Sequence, residues 1–286
     1  KEKIRNFFFS KSIQKTKNDL FFKKFYPLIY PNIQTIVLEE ICRIINKYFK
    51  ITNSTFDKDS QNNLNNLKNR PHNKYPLIFS YIVQFLKISG RKNKIRFFLK
   101  ENDAICFQWC GLTQAFAENS KLKIYLSRHN EWFNKINKPQ DNYEFDVMIK
   151  WIYKEAINIL KLFNIEATVN DRGHLHETIF FVVNWFIDQL SCLGSKRIPK
   201  IFISGTAGAA FNRLMAFKVK ENGGKVILMD HGCGVGLWKN NYRGFFEFDW
   251  ADSFITFGPE MAKGAKQNSL KNRFYIQNKP RFLWVK

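Results

Sequence analysis

Two runs decide how this chain is read: Ile201-Phe202-Ile203-Ser204-Gly205-Thr206-Ala207-Gly208, and Lys225-Val226-Ile227-Leu228-Met229-Asp230-His231-Gly232. The first opens with an apolar stretch too short for a helix, rich in β-branched residues and closed by Gly205, which predicts a buried parallel strand. From Phe211 the apolar positions Phe211, Leu214, Met215 and Val219 take helical spacing, and Gly223-Gly224 stops that helix as a C-cap does. Lys225 to Met229 then reads as a second strand that delivers Asp230, His231 and Gly232 at its carboxyl end. The product is a β-α-β unit, and α/β folds place ligands at the carboxyl edge of such a sheet.

That edge carries chemistry. Gly205-Thr206-Ala207-Gly208 precedes a helix start, where free N-H groups and the positive end of the helix dipole hold a phosphate or carboxylate. No Gly-Lys-Ser/Thr follows and Gly-x-Gly-x-x-Gly does not fit, so neither nucleotide fingerprint is met. Small residues here also serve a second reading, tight packing of the turn on the sheet. Asp230-His231-Gly232-Cys233-Gly234-Val235-Gly236 is more pointed. An acid and an imidazole at a strand end, followed by alternating glycines, permit close backbone approach to a ligand.

Working outward, two or three of the short apolar runs at Ile95 to Leu99, Ala104 to Trp109 and Lys123 to Leu126 are strands, separated by a helix near Thr113 to Glu118, and Trp250 to Pro259 reads as a further short strand ending in a turn. Glu260 to Ala265 reads as a small helix and Phe274 to Gln277 as the start of another strand. Phe145 to Phe163 is an amphipathic helix with Met148, Ile152, Ala156, Ile159 and Phe163 on one stripe and Glu155 at its border. Asn170 to Glu177 leads into a mostly apolar helix around Ile179, Val183 and Phe186. Of its polar residues, His174, His176 and Glu177 lack the zincin spacing, so no metal is assigned. They serve as helix caps, or His176 or Glu177 shares a cleft with Asp230.

The expected organisation is a helical segment over 1–74 with a polar loop at 52–74, a Rossmann-like α/β domain over 75–258, and a linker or second domain beginning at 259–286. Tyr81 to Lys87 is a helix in this reading, and Pro27 and Pro31 break the segment before Ile36. The whole suits a piece of a longer, two-domain protein.

Lys and Arg number 46 against 24 Asp and Glu, a formal charge of +22. Such a field serves nucleic acid, anionic lipid or phosphorylated and acidic sugars, or is a solvated basic surface. The cations are spread along the chain and no RNA-binding signature is present, so nucleic acid is disfavoured. The mix of Phe21, Phe22, Lys23, Lys24, Phe25 and Tyr26 leaves open a peripheral contact with an anionic membrane. Five cysteines without Cys-x-x-Cys spacing suit buried thiols in a reducing compartment. No apolar stretch is long enough to span a bilayer.

The order of these pieces, a strand into Ser204-Gly205-Thr206, a helix, a Gly-Gly stop, a strand into Asp230-His231-Gly232, then Asp252 to Gly258, resembles bacterial GT-B glycosyltransferases that build surface polysaccharides. More narrowly it is similar to retaining transferases that move Kdo from CMP-Kdo onto lipopolysaccharide or capsule glycans. The likeness covers about 60 residues well. It implies a GT-B-type N-terminal domain in a cytoplasmic enzyme, peripheral at the inner membrane face, that uses a nucleotide sugar as substrate, needs no cofactor and serves a glycan or glycolipid acceptor. By the same resemblance Asp230 is the candidate nucleophile, with Glu177 or His176 managing the acceptor proton. Ser204, Gly205, Thr206, His231 and Gly232 line the substrate, with Arg213 and Arg172 as charged anchors. The competing class is a basic module that binds nucleic acid or an anionic membrane without catalysis, recognisable by salt-sensitive binding.

Overall fold

A computed structural model describes residues 2–49, 95–96, 104–108, 110–120, 122–127, 129–133, 143–194, 196–230, 247–269, 273–275 and 278–284. The polar loop at 52–74, the helix at 81–87, His231 and Gly232 lie outside these residues. Among these residues the helices are, in chain order, α1 (Glu2–Asn18), α2 (Leu20–Asn32), α3 (Leu38–Tyr48), α4 (Gly111–Asn119), α5 (His129–Trp132), α6 (Tyr143–Leu162), α7 (Val169–Gly194), α8 (Ala210–Glu221) and α9 (Pro259–Asn268). The strands are β1 (Ile95–Arg96), β2 (Ala104–Cys106), β3 (Ile124–Leu126), β4 (Ile201–Ser204), β5 (Lys225–Met229), β6 (Ser253–Thr256) and β7 (Arg281–Trp284). Two compact units divide the chain: residues 1–72 with 135–191, and residues 73–134 with 192–286.

The first unit is helical. Phe8, Phe22, Tyr26 and Tyr30 are buried, and the ring of Trp151 on α6 meets Phe22 at 5.3 Å and Tyr26 at 5.5 Å, both edge-on. Buried Ser12 shares a 3.0 Å hydrogen bond with the Tyr26 hydroxyl. Of the basic-aromatic run, Phe22 and Tyr26 therefore face the core, while Lys23 and Lys24 are exposed. Pro27 and Pro31 do not break the chain; both sit inside α2, and a π-helical turn over Ile33–Val37 follows. Each proline removes an N-H from the helix ladder at a cost of about 3 kcal/mol. Burial of Tyr26, Leu28, Ile29 and Tyr30 around them offsets it.

α7 begins at Val169, so Asn170 to Glu177 forms its first two turns rather than a lead-in. Its start is fixed by charge: Asp171, 5% exposed, takes hydrogen bonds from Thr168 Oγ1 at 2.7 Å and Lys47 Nζ at 3.1 Å. Arg43 reaches the same carboxylate at 3.4 Å while clamping Glu40. Burial opposes ionisation of Asp171, but Thr168, Lys47 and Arg43 outweigh it and hold the carboxyl below its ordinary range.

The second unit is a parallel seven-stranded sheet in the order β1-β3-β2-β4-β5-β6-β7. Ile203, Met229 and Ile255 join Ala104, Cys106, Ile124 and Leu126 in one core layer, while Phe202, Leu228 and Phe254 alternate onto the opposite face and are also buried. Both faces are covered, as the continuous apolar runs require of parallel strands. Gly223 carries φ +70°. Its N-H bonds Lys220 O at 2.9 Å and that of Gly224 bonds Val219 O at 2.8 Å, a Schellman stop that turns α8 back into β5.

Two boundaries differ from expectation. Residues 135–191 leave the sheet unit between β3 and β4 and join the helical one. The segment 259–286 supplies α9 and β7 to the same sheet, with Phe254 paired to Phe282; the last strand begins at Arg281, and of the strand expected at Phe274 to Gln277, residues 276 and 277 lie outside the described residues while 273–275 are committed elsewhere. There Arg273 Nε bonds buried Asp249 at 2.9 Å, and the N-H groups of Phe274 and Tyr275 bond the same carboxylate at 2.8 and 3.1 Å.

Candidate functional site

Strand order reverses between β2 and β4: β3 lies on one side of β2, and the chain returns on the other. Such a switch point opens a crevice at the carboxyl ends of the strands. The register Ser204↔Leu228 pairs β4 with β5, so Thr206 and Asp230, each two residues further on, leave the sheet at the same level. The Asp230 N-H bonds Ile255 O at 2.9 Å, and the residue is 1% exposed. Asp252, by contrast, sits at the amino edge, where its carboxylate takes the Val226 N-H at 2.8 Å and Lys220 Nζ at 2.6 Å.

The turn after β4 is built differently from the open anion cradle expected. Ala207 N donates to Glu247 Oε2 at 2.9 Å, the Thr206 hydroxyl donates to Glu247 Oε1, and Gly208 N donates to Thr206 Oγ1 at 2.8 Å. The anion in the turn is thus a carboxylate of the chain itself, 2% exposed. Arg213 is fully buried and points its guanidinium at the carbonyls of Ala207 and Gly208, the former at 3.1 Å. Burial pushes that guanidinium down from its ordinary range, against the opposing charge of Glu247. Arg213 therefore supports the turn from beneath.

A second chain of contacts crosses the switch point. Asn212, 2% exposed, donates through Nδ2 to Ser204 Oγ at 2.9 Å and to Thr206 O at 2.7 Å, and its Oδ1 lies 3.0 Å from His129 Nε2. The imidazole of His129 stacks on Phe211 at 5.0 Å and meets Phe107, just past β2, edge-on at 4.9 Å. Burial lowers the proton affinity of His129, with the Asn212 contact pulling the other way.

Ser204, Gly205, Thr206, Arg213 and Asp230 all belong to this rim. Arg172, His176 and Glu177 belong to the helical unit. Arg172 bonds Ala167 O at 2.8 Å, and His176 packs against Tyr153 at 5.5 Å. All three are exposed, and His174, 58% exposed, lies 4.0 Å from Glu40. Glu247, His129 and Asn212 escaped the sequence reading. His129 follows a strand as Asp230 does, and Glu247 is a lone acid in the aromatic run Phe245 to Phe248. No helix among the described residues is long and apolar enough to cross a membrane.

Fold and rim define an α/β protein with a Rossmann-like parallel sheet flanked by helices. Compared with known proteins, the chain matches no family, no curated protein and no solved structure.

Proposed function

We propose that the chain is a nucleotide-sugar-dependent glycosyltransferase of GT-B type, acting on a surface glycan or glycolipid, with Kdo from CMP-Kdo as the first donor to try. One observation carries the reading: Asp230 emerges from β5 level with Thr206 from β4, on the carboxyl rim and one strand from the switch point. A carboxylate there can attack an anomeric carbon. The bond from that carbon to the donor phosphate breaks, the phosphate leaves as an anion without needing a proton, and a glycosyl ester of Asp230 forms. Water or an acceptor hydroxyl then displaces the carboxylate with the configuration retained overall.

The N-H groups of the 206–208 turn do not take part directly, since Ser204, Glu247 and Thr206 hold them. Their role is to fix the backbone beside Asp230. The test is transfer by the intact protein from a panel of CMP and UDP sugars, read by mass spectrometry of acceptors. Asp230→Ala is expected to lower the rate by at least about 10³-fold with the thermal unfolding curve unchanged. Full activity in that variant would remove Asp230 from the chemistry.

A further inference from the structure

We propose that His129 is the proton acceptor for the incoming hydroxyl at this rim, held by Asn212 in the tautomer that leaves Nδ1 as its basic atom; this rests on the glycosyl-transfer reading above. The tautomer follows from valence. Thr206 O is a carbonyl and can only accept, so the Asn212 atom 2.7 Å from it is the amide nitrogen. The other end of that amide is then a carbonyl oxygen, and at 3.0 Å from His129 Nε2 it must receive a proton. Nε2 carries the hydrogen, and in the neutral ring Nδ1 carries the lone pair. Among the described residues Nδ1 has no hydrogen-bond partner.

Position supports the same role. The ring follows β3 and reaches across the ends of β2 and β4 to Phe107 and Phe211, which places it over the switch point. Through Asn212 it is tied to Ser204 at the end of β4, and Asp230 leaves the neighbouring strand β5. Two strands, β2 and β4, lie between β3 and β5 in the sheet, and the Asn212 link carries His129 across the first of them to the end of β4.

Among the described residues, the groups in contact with the ring carry no charge: Phe107 beyond β2, and Phe211 and Asn212 from α8. Glu131 of its own helix is engaged by Tyr125 at 2.9 Å and Ser127 at 2.6 Å. A ring so surrounded stays neutral at neutral pH, as burial of His129 directs. In the second half of the reaction the acceptor oxygen forms a bond to the anomeric carbon. The ester bond to Asp230 breaks, its electron pair returns to the carboxylate, and the hydroxyl proton passes to His129 Nδ1 and on to water.

The experiment measures transfer by the wild type, His129→Gln and Asn212→Leu from pH 5 to 8.5, alongside nitrogen-15 NMR of the histidine side chains. His129→Gln is expected to lose about 10²- to 10⁴-fold in kcat with donor KM unchanged, and to lose the acid limb of the pH profile. Asn212→Leu keeps that limb at reduced kcat. The spectrum of the wild type at pH 7 shows His129 neutral with the hydrogen on Nε2. A transferring wild type whose rate and pH profile survive His129→Gln overturns this role and leaves the transferase reading standing. A wild type that transfers from no donor overturns the transferase reading. A His129 charged at pH 7, or protonated on Nδ1, overturns the tautomer without any activity measurement.

Discussion

Buried Asp249 and half-buried His129 are polar side chains in the same unit, and they are held in opposite ways. Both oxygens of Asp249 are taken, by Arg273 Nε and by two backbone N-H groups. Its partner is equally committed, since Arg273 also donates to the carbonyls of Ser269, Phe248, Tyr275 and Asn278. His129 has one nitrogen fixed by Asn212 and the other without a partner among the described residues. A saturated network specifies structure, because any change leaves a buried group short of a partner. A network with one basic atom left over can do chemistry, because a ligand can complete it.

The largest effect should come from the saturated pair. Burial pushes the Asp249 carboxyl up, and Arg273 with its neighbouring N-H groups pulls it back. Arg273→Leu leaves that carboxylate buried with its two N-H bonds but without a counter-charge, and should cost about 3–5 kcal/mol of stability, measured by urea denaturation. A loss below about 1 kcal/mol would make the two networks equivalent and erase the contrast.

A smaller effect tests the open one. His129 has its folded proton affinity lowered, so the unfolded chain binds a proton that the folded chain refuses. Stability must then fall as pH drops through the ordinary histidine value of about 6.5. Asp171 is lowered within the carboxylate range, so its contribution is present above about pH 3.9 and is lost only as pH falls through its lower folded value. The interval from pH 7.5 to 5.5 lies clear of that carboxylate, and the comparison with His129→Gln separates this histidine from the other groups that titrate there. Wild type should lose more stability across it than His129→Gln; equal losses would mean the ring is not held neutral.

Local signals made much of the sheet unit legible. The short apolar runs into Ser204 and Asp230, the spacing of Phe211 to Val219 and the pair Gly223-Gly224 each specify their own backbone, and β4, α8 and β5 follow them closely. What stayed hidden depends on partners distant in the chain. Glu247 meets Thr206 from 41 residues away and His129 meets Asn212 from 83. No periodicity records such meetings, so the turn looked open when its amides were already spoken for. Pro27 and Pro31 misled for a related reason: their local rule predicts a break, and the aromatic core around Trp151 overrides it. His176 and Glu177 drew notice by residue type, yet they are exposed positions on α7, in the helical unit.

The central claim is that the carboxylate at the end of β5 forms a bond to a sugar. It is tested most directly by incubating the protein with CMP and UDP sugars without acceptor, quenching in acid, and locating added mass by peptide mapping. A glycosyl mass on the peptide containing Asp230, absent from Asp230→Asn, is the expected result. An acceptor-competent enzyme whose Asp230 never carries sugar, or carries it on another carboxylate, would contradict the account.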